Sequence, residues 1–170
     1  MGSSEVLLDA FERVRDAVHP AVNGLSVQQL AFRPDGESNS IAWLVWHLTR
    51  IQDDHVTGLR GGDQAWTAGG WSGRFALPLE PADTGYGHGP DDVAKVTADA
   101  AMLLDYFEEV HEKTVEYLRS LSDADLLQVI DPSWDPPVTV AVRLVSVIAD
   151  DLQHAGQASY VRGVVERLET

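Results

Sequence analysis

Apolar residues recur at helical spacing along four long stretches of the chain. From Glu5 to Val18 they fall at Val6, Leu7, Ala10, Phe11, Val14 and Val18, and Pro20 and Gly24 mark the end of that helix. Leu25 to Pro34 reads as a short turn of helix and a loop. Ser38-Asn39-Ser40 offers N-caps for a second helix over Ile41 to Leu59, stopped by Gly61-Gly62. Its core face is Ile41, Leu44, Val45, Leu48 and Ile51.

Asp91-Asp92 opens a third helix that runs to about Leu121, with acidic residues in its first turn where the helix dipole favours them. Val93, Val96, Ala100, Leu103, Phe107, Val110, Thr114 and Leu118 supply its apolar stripe. Ser122 to Leu127 reads as a short capped turn. Pro136-Pro137 suits the start of a fourth helix, Val138 to Leu168. The run Val138 to Ile148 is rich in β-branched residues and resembles a strand. The helical pattern continues through Leu152 and Ala155, and with no strand partner apparent the expectation is helix. Between the second and third helices, residues 61–90 hold eight glycines, three prolines and two tryptophans, with little periodicity. A connection of that length in a compact domain is usually functional. The pattern therefore predicts an all-α four-helix bundle with a long Gly-rich loop between helices 2 and 3, as one domain over 1–170.

Composition narrows the classes of function. The chain has 170 residues, 44% of them hydrophobic, enough for one sizeable core. With 27 acidic residues against 12 basic ones the net charge is -15, and no Lys/Arg cluster appears that would hold nucleic acid. An anionic membrane surface is disfavoured for the same reason. No apolar run reaches the roughly 18 residues of a membrane span. The first residues lack the pattern of a signal peptide or a myristoylation site, so a cytoplasmic protein is expected. There is no cysteine, which rules out a cysteine metal site and a thiol nucleophile belonging to the chain.

The candidate chemistry lies on the second and fourth helices. Asp150 and His154 stand four residues apart, on one face and about one turn apart, so both can reach one small cation. His47, at the edge of the second helix's core face, can complete the set. Two imidazoles and a carboxylate form a ligand set with open positions. Asp151 is a rival for the aspartate role but lies nearer the apolar face. Arg143, Val147, Asp150, His154, Gln157 and Val161 share one stripe, and charged residues beside a core face need a partner or a ligand. Arg143 and Arg50 are candidates to hold a substrate carboxylate, and His88 in the Gly-rich loop is a third candidate for substrate binding. Asp54 suits a supporting or structural role, and His55 points away from His47. His19 and His111 are expected to be solvated. Taken alone, the same residues also fit a structural role inside a bundle.

Ser40-Ile-Ala-Trp-Leu-Val-Trp-His47-Leu-Thr-Arg50, Gly85-Tyr-Gly-His88, Trp134-Asp-Pro-Pro-Val-Thr and Asp150-Asp-Leu-Gln-His154-Ala-Gly-Gln157 resemble the DinB-like superfamily. More narrowly they resemble its branch related to mycothiol-dependent maleylpyruvate isomerase. The resemblance implies a four-helix bundle holding a divalent metal between a histidine of the second helix and two residues of the last. In many members both of those are histidines, and in the isomerase the first is a glutamate, where this chain has Asp150. It also implies thiol-dependent S-transfer or isomerisation with a low-molecular-weight thiol such as mycothiol, and it suggests a homodimer. The metal expected is Zn²⁺, with Ni²⁺ or Fe²⁺ as alternatives. The competing expectation is a non-catalytic, stress-associated protein that binds a metal or small ligand.

Overall fold

The structure, a computed structural model, describes residues 2–168. Four long helices carry it: α1 (Ser3–Val22), α3 (Ile41–Arg60), α7 (Ala100–Ser120) and α9 (Val140–Leu168). Short helices fill the connections: α2 (Val27–Leu30), α4 (Ala65–Ala68), α5 (Trp71–Phe75), α6 (Pro90–Val93) and α8 (Asp123–Leu126). Both α1 and α3 pack against α7 and α9, so the four form a square with α1 and α3 on one diagonal. No described helix is long and apolar enough to cross a membrane.

The helices begin where local chemistry satisfies their first N–H groups. The Ser40 hydroxyl accepts from Trp43 N at 3.1 Å, and the Asp99 carboxylate accepts from Met102 N at 2.7 Å. The second cap corrects the expected third helix. Asp91-Asp92 opens only the one-turn α6, and the long helix starts at Ala100. Val93, Val96 and Ala98 are still buried, so the apolar pattern runs on from α6 through residues 94–99, which are not helical. At the other end of the bundle α1 continues past Pro20 to Val22, because Ala21 and Val22 are buried in the core.

The start of the last helix also differs from expectation. Val138–Thr139 forms a short strand, β2, paired antiparallel with β1 (Val129–Asp131). Pro136-Pro137 lies in the turn between them, and α9 starts only at Val140. The β-branched run is strand for two residues and helix thereafter.

The core is formed by Phe11, Leu30, Ile41, Leu44, Trp46, Leu48, Leu103, Phe107, Leu118 and Leu144, all essentially inaccessible. Each such side chain contributes about 1.5–3 kcal/mol when buried. Residues 40–50 are all buried, the polar Ser40, His47, Thr49 and Arg50 among them. The segment 61–89 covers the outer flank of α3: Trp66, Trp71 and Phe75 are buried there against Tyr106 of α7.

Candidate metal centre

His47 on α3 and Asp150 and His154 on α9 converge where those two helices pack. One donor atom from each lies within 4.8 Å of the others, close to the spacing that ligands around one small cation require. The His47 and His154 rings meet edge to face, with centroids 4.9 Å apart.

Each imidazole is oriented by a hydrogen bond on its far side. His47 Nδ1–H donates to the Thr84 carbonyl at 2.5 Å, and His154 Nδ1–H donates to Gln157 Oε1 at 2.9 Å. Both rings are thereby assigned the tautomer that leaves Nε2 with a lone pair for the cation. The Trp43 ring stacks on His47 at 4.6 Å, which limits its rotation. Burial pushes the His47 pKa below its ordinary value, while its bond to Thr84 opposes that shift. The ring is therefore neutral near pH 7, the form that ligates.

Asp150 gives the clearest sign that the cluster lacks a member. One of its oxygens lies 3.6 Å from His154 Nε2, and its Oδ2 is buried with no hydrogen-bond partner. An unsatisfied buried acceptor costs about 1–3 kcal/mol, more when charged. A divalent cation among these three residues would satisfy it, so the donor set fits such an ion.

The turn Asp83–His88 holds the outer side of the site. Trp43 Nε1–H donates to His88 Nδ1 at 3.1 Å, so His88 carries its proton on Nε2 and donates it to Asp83 at 2.9 Å. Burial raises the Asp83 pKa, but hydrogen bonds from His88 and Gly85 N outweigh it and the net shift is downward. Gly85 sits at φ +90°, and a Cβ there would stand 2.8 Å from His47 Nδ1. Only glycine lets the backbone approach so closely. His88 thus supports Trp43 and the turn from behind.

The other singled-out residues divide clearly. Arg50 is buried and donates to Asp83 O, Gln64 Oε1 and Tyr106 OH, an interior network that includes none of the three converging residues. Asp54 accepts from Gln64 Nε2 at 2.7 Å. Asp151 points into the core, both oxygens lacking partners; burial first, then Asp150, pushes its pKa well above the ordinary range. His19 pairs with Glu108. His111, expected to be solvated, is instead 4% exposed and stacked on Phe107.

Arg143 lies with Asp150 and His47 on the wall of a cavity of about 450 Å³. The same cavity is lined by His55, Tyr86 and Trp134. Sequence reasoning missed the Thr84 carbonyl, Asp83 and the place of His55 in this wall. The run Asp83-Thr-Gly-Tyr-Gly-His88 was the available signal, since closely spaced glycines mark close backbone approach.

An all-α bundle with two histidines and an aspartate converging from two helices defines a class: helical-bundle proteins with a candidate mononuclear metal centre. A family model for the DinB superfamily matches residues 10–158, and the chain belongs to that superfamily. A solved structure, that of a conserved protein from Enterococcus faecalis, is 32% identical with a TM-score of 0.91, covering 97% of this chain and 98% of that one. A search of curated proteins found no match.

Proposed function

We propose that the protein is a metal-dependent enzyme that transfers or isomerises a small electrophile with the help of a low-molecular-weight thiol such as mycothiol. His47, Asp150 and His154 hold the cation, Zn²⁺ in the first instance. The observation that carries the reading is the triad itself, with both Nδ1 protons engaged and Asp150 Oδ2 left without a partner. A bound divalent cation lowers the pKa of a thiol or water that it meets, which supplies a nucleophile at neutral pH. Because the chain has no cysteine, that thiol arrives as a cosubstrate. The resemblance to the mycothiol-dependent isomerase branch supports the same choice. Thr84 and Gln157 orient the His47 and His154 rings, and Trp43 fixes the His47 ring.

The test has two arms. Protein purified without a metal-affinity tag should contain close to one equivalent of divalent metal, lost in His154→Ala. Metal-loaded protein should then turn over at least one member of a panel of electrophiles with mycothiol or bacillithiol. Metal-free protein with no affinity for Zn²⁺, Ni²⁺ or Fe²⁺ would sink the reading. A loaded protein inert across the panel would favour the non-catalytic binding alternative.

A further inference from the structure

The cavity beside the triad carries a second message, which rests on the metal-dependent reading above. Arg143 precedes Asp150 by two turns of α9, about 10 Å along the axis. Arg143 lines the same cavity as His47 and Asp150, and with His55 it also borders a neighbouring one beside Gln64 and Tyr117. Among the described residues its hydrogen-bond partner is an imidazole: Arg143 Nη1 donates to His55 Nδ1 at 3.0 Å. His55 is uncharged in that role. Its pKa lies below the ordinary value, through burial first and the Arg143 charge second.

A neutral ring orients a guanidinium without cancelling its charge. Among the described residues no carboxylate forms an ion pair with it, although the chain has 27 acidic residues against 12 basic ones. Asp131 is near enough for its pKa to respond to Arg143, but its carboxylate accepts from Ser133 N and Oγ at 3.0 and 2.6 Å. Asp54, 3.8 Å from His55, accepts from Gln64 instead. The guanidinium therefore offers a planar fork of donors to whatever enters. Apart from Ser146 the rest of the wall is apolar, with Ile51, Val138, Val142 and Val147 lining it. Trp134 and Tyr86, 67% and 90% exposed, stand at its edge and present flat faces.

We propose that this cavity selects a small molecule bearing a carboxylate on a flat apolar body, with Arg143, held by His55, recognising the carboxylate. The reacting end then lies toward His47, Asp150 and His154. A phosphate monoester offers similar oxyanion chemistry, but the chain's net charge of -15 disfavours its second charge.

Calorimetric titration of the full, Zn²⁺-loaded chain with cinnamate, cinnamamide and phenyl phosphate tests this. Cinnamate should bind roughly tenfold or more tightly than cinnamamide, as a charge-assisted hydrogen bond implies, and more tightly than phenyl phosphate. Arg143→Met should weaken cinnamate roughly tenfold to hundredfold, leaving cinnamamide and Zn²⁺ affinity as in the wild type. His55→Ala should lose part of the preference. The preference should persist in chelator-treated protein, which separates Arg143 from a direct carboxylate–metal contact. Equal affinity for cinnamate and cinnamamide, unchanged cinnamate binding in Arg143→Met, or tighter phenyl phosphate would overturn the assignment. Absence of Zn²⁺ binding with the carboxylate preference intact would remove the metal-dependent function and leave the Arg143 assignment standing.

Discussion

Two polar clusters lie inside this bundle, both anchored on α3, and they are finished differently. Around Arg50 the charge meets partners on several sides. Its guanidinium reaches Asp83 O, Gln64 and Tyr106, lies 3.8 Å from Asp53 and stacks over Trp66. Asp53 in turn accepts from Ala65 N, Trp66 N and Tyr106 OH. Around His47 the outer side is equally well supported, but the inner side is open: donor atoms of His47, Asp150 and His154 converge within 4.8 Å, and one buried Asp150 oxygen there has no partner. A closed network fixes the segment 61–89 on the bundle. An open one asks for a ligand. Residue types alone do not separate the two clusters; hydrogen-bond saturation does.

Breaking the closed cluster should have the largest effect. Asp53→Ala leaves Arg50 as an uncompensated buried charge and strips Ala65 N, Trp66 N and Tyr106 OH of their acceptor. A loss of about 3–5 kcal/mol is expected, enough to unfold much of the protein at moderate temperature. Urea denaturation of the metal-free protein measures it. A loss below about 1 kcal/mol would show that the network is not closed in solution.

Opening the other cluster further should do the reverse. His154→Ala removes a half-buried ring whose own bond is to the exposed Gln157. The metal-free variant should keep its urea midpoint within about 1 kcal/mol of the wild type. Its Zn²⁺ affinity should fall by about 100-fold or more, since one of three protein ligands is gone. A collapse of the fold with affinity retained would exchange the roles of the two clusters.

How much of this was legible in the sequence follows from the range of each interaction. His47, Asp150 and His154 were legible because i, i+4 spacing and helix faces are local geometry. The four long helices were legible for the same reason. Asp91-Asp92 misled because Val96 and Ala98 continue the apolar pattern of Val93 through a segment that is not helical. Val138–Thr139 misled because its strand partner, Val129–Asp131, is itself only three residues long. Arg50 looked like a substrate cation, since its partners come from residues 64, 83 and 106, which no local pattern connects to it. His111 is buried by packing on the charged-looking face of α7, a tertiary effect that periodicity does not report.

Asp151 sharpens the comparison, since both of its oxygens are buried without partners. It faces the core and not the triad, and burial pushes its pKa well above the ordinary range. The sign follows from linkage. The folded state holds this proton to higher pH than the unfolded chain does. Its stabilising contribution is therefore fully present below the unfolded pKa of about 4 and is lost as pH rises through the folded value. Asp151→Asn cannot release a proton, so its stability relative to wild type should rise from pH 4 towards pH 7, by at most about 1.4 kcal/mol per pH unit. Urea midpoints of the two metal-free proteins across that range measure this. Parallel curves would mean that Asp151 is ionised and partnered in solution.

The turn Asp83–His88 joins the two clusters. Asp83 O accepts from Arg50 Nε at 3.1 Å, and Thr84 O accepts from His47 Nδ1 at 2.5 Å. The closed cluster thus holds the peptide that orients a ligand of the open one. Gly85 is the point where this coupling can be loosened selectively. Alanine there would be strained at φ +90°, with its Cβ 2.8 Å from His47 Nδ1 and 3.0 Å from the fixed ring of Trp46. The left-handed strain alone costs about 1–2 kcal/mol. With Trp46 packed in the core, the turn must retreat and carry the Thr84 carbonyl away from His47. Gly85→Ala should therefore weaken Zn²⁺ binding about tenfold, the lower end for losing an outer partner of a ligating histidine. The Arg50 cluster should remain intact, so the urea midpoint should fall far less than in Asp53→Ala. Unchanged metal affinity in a folded Gly85→Ala protein would show that His47 finds its orientation from Trp43 alone.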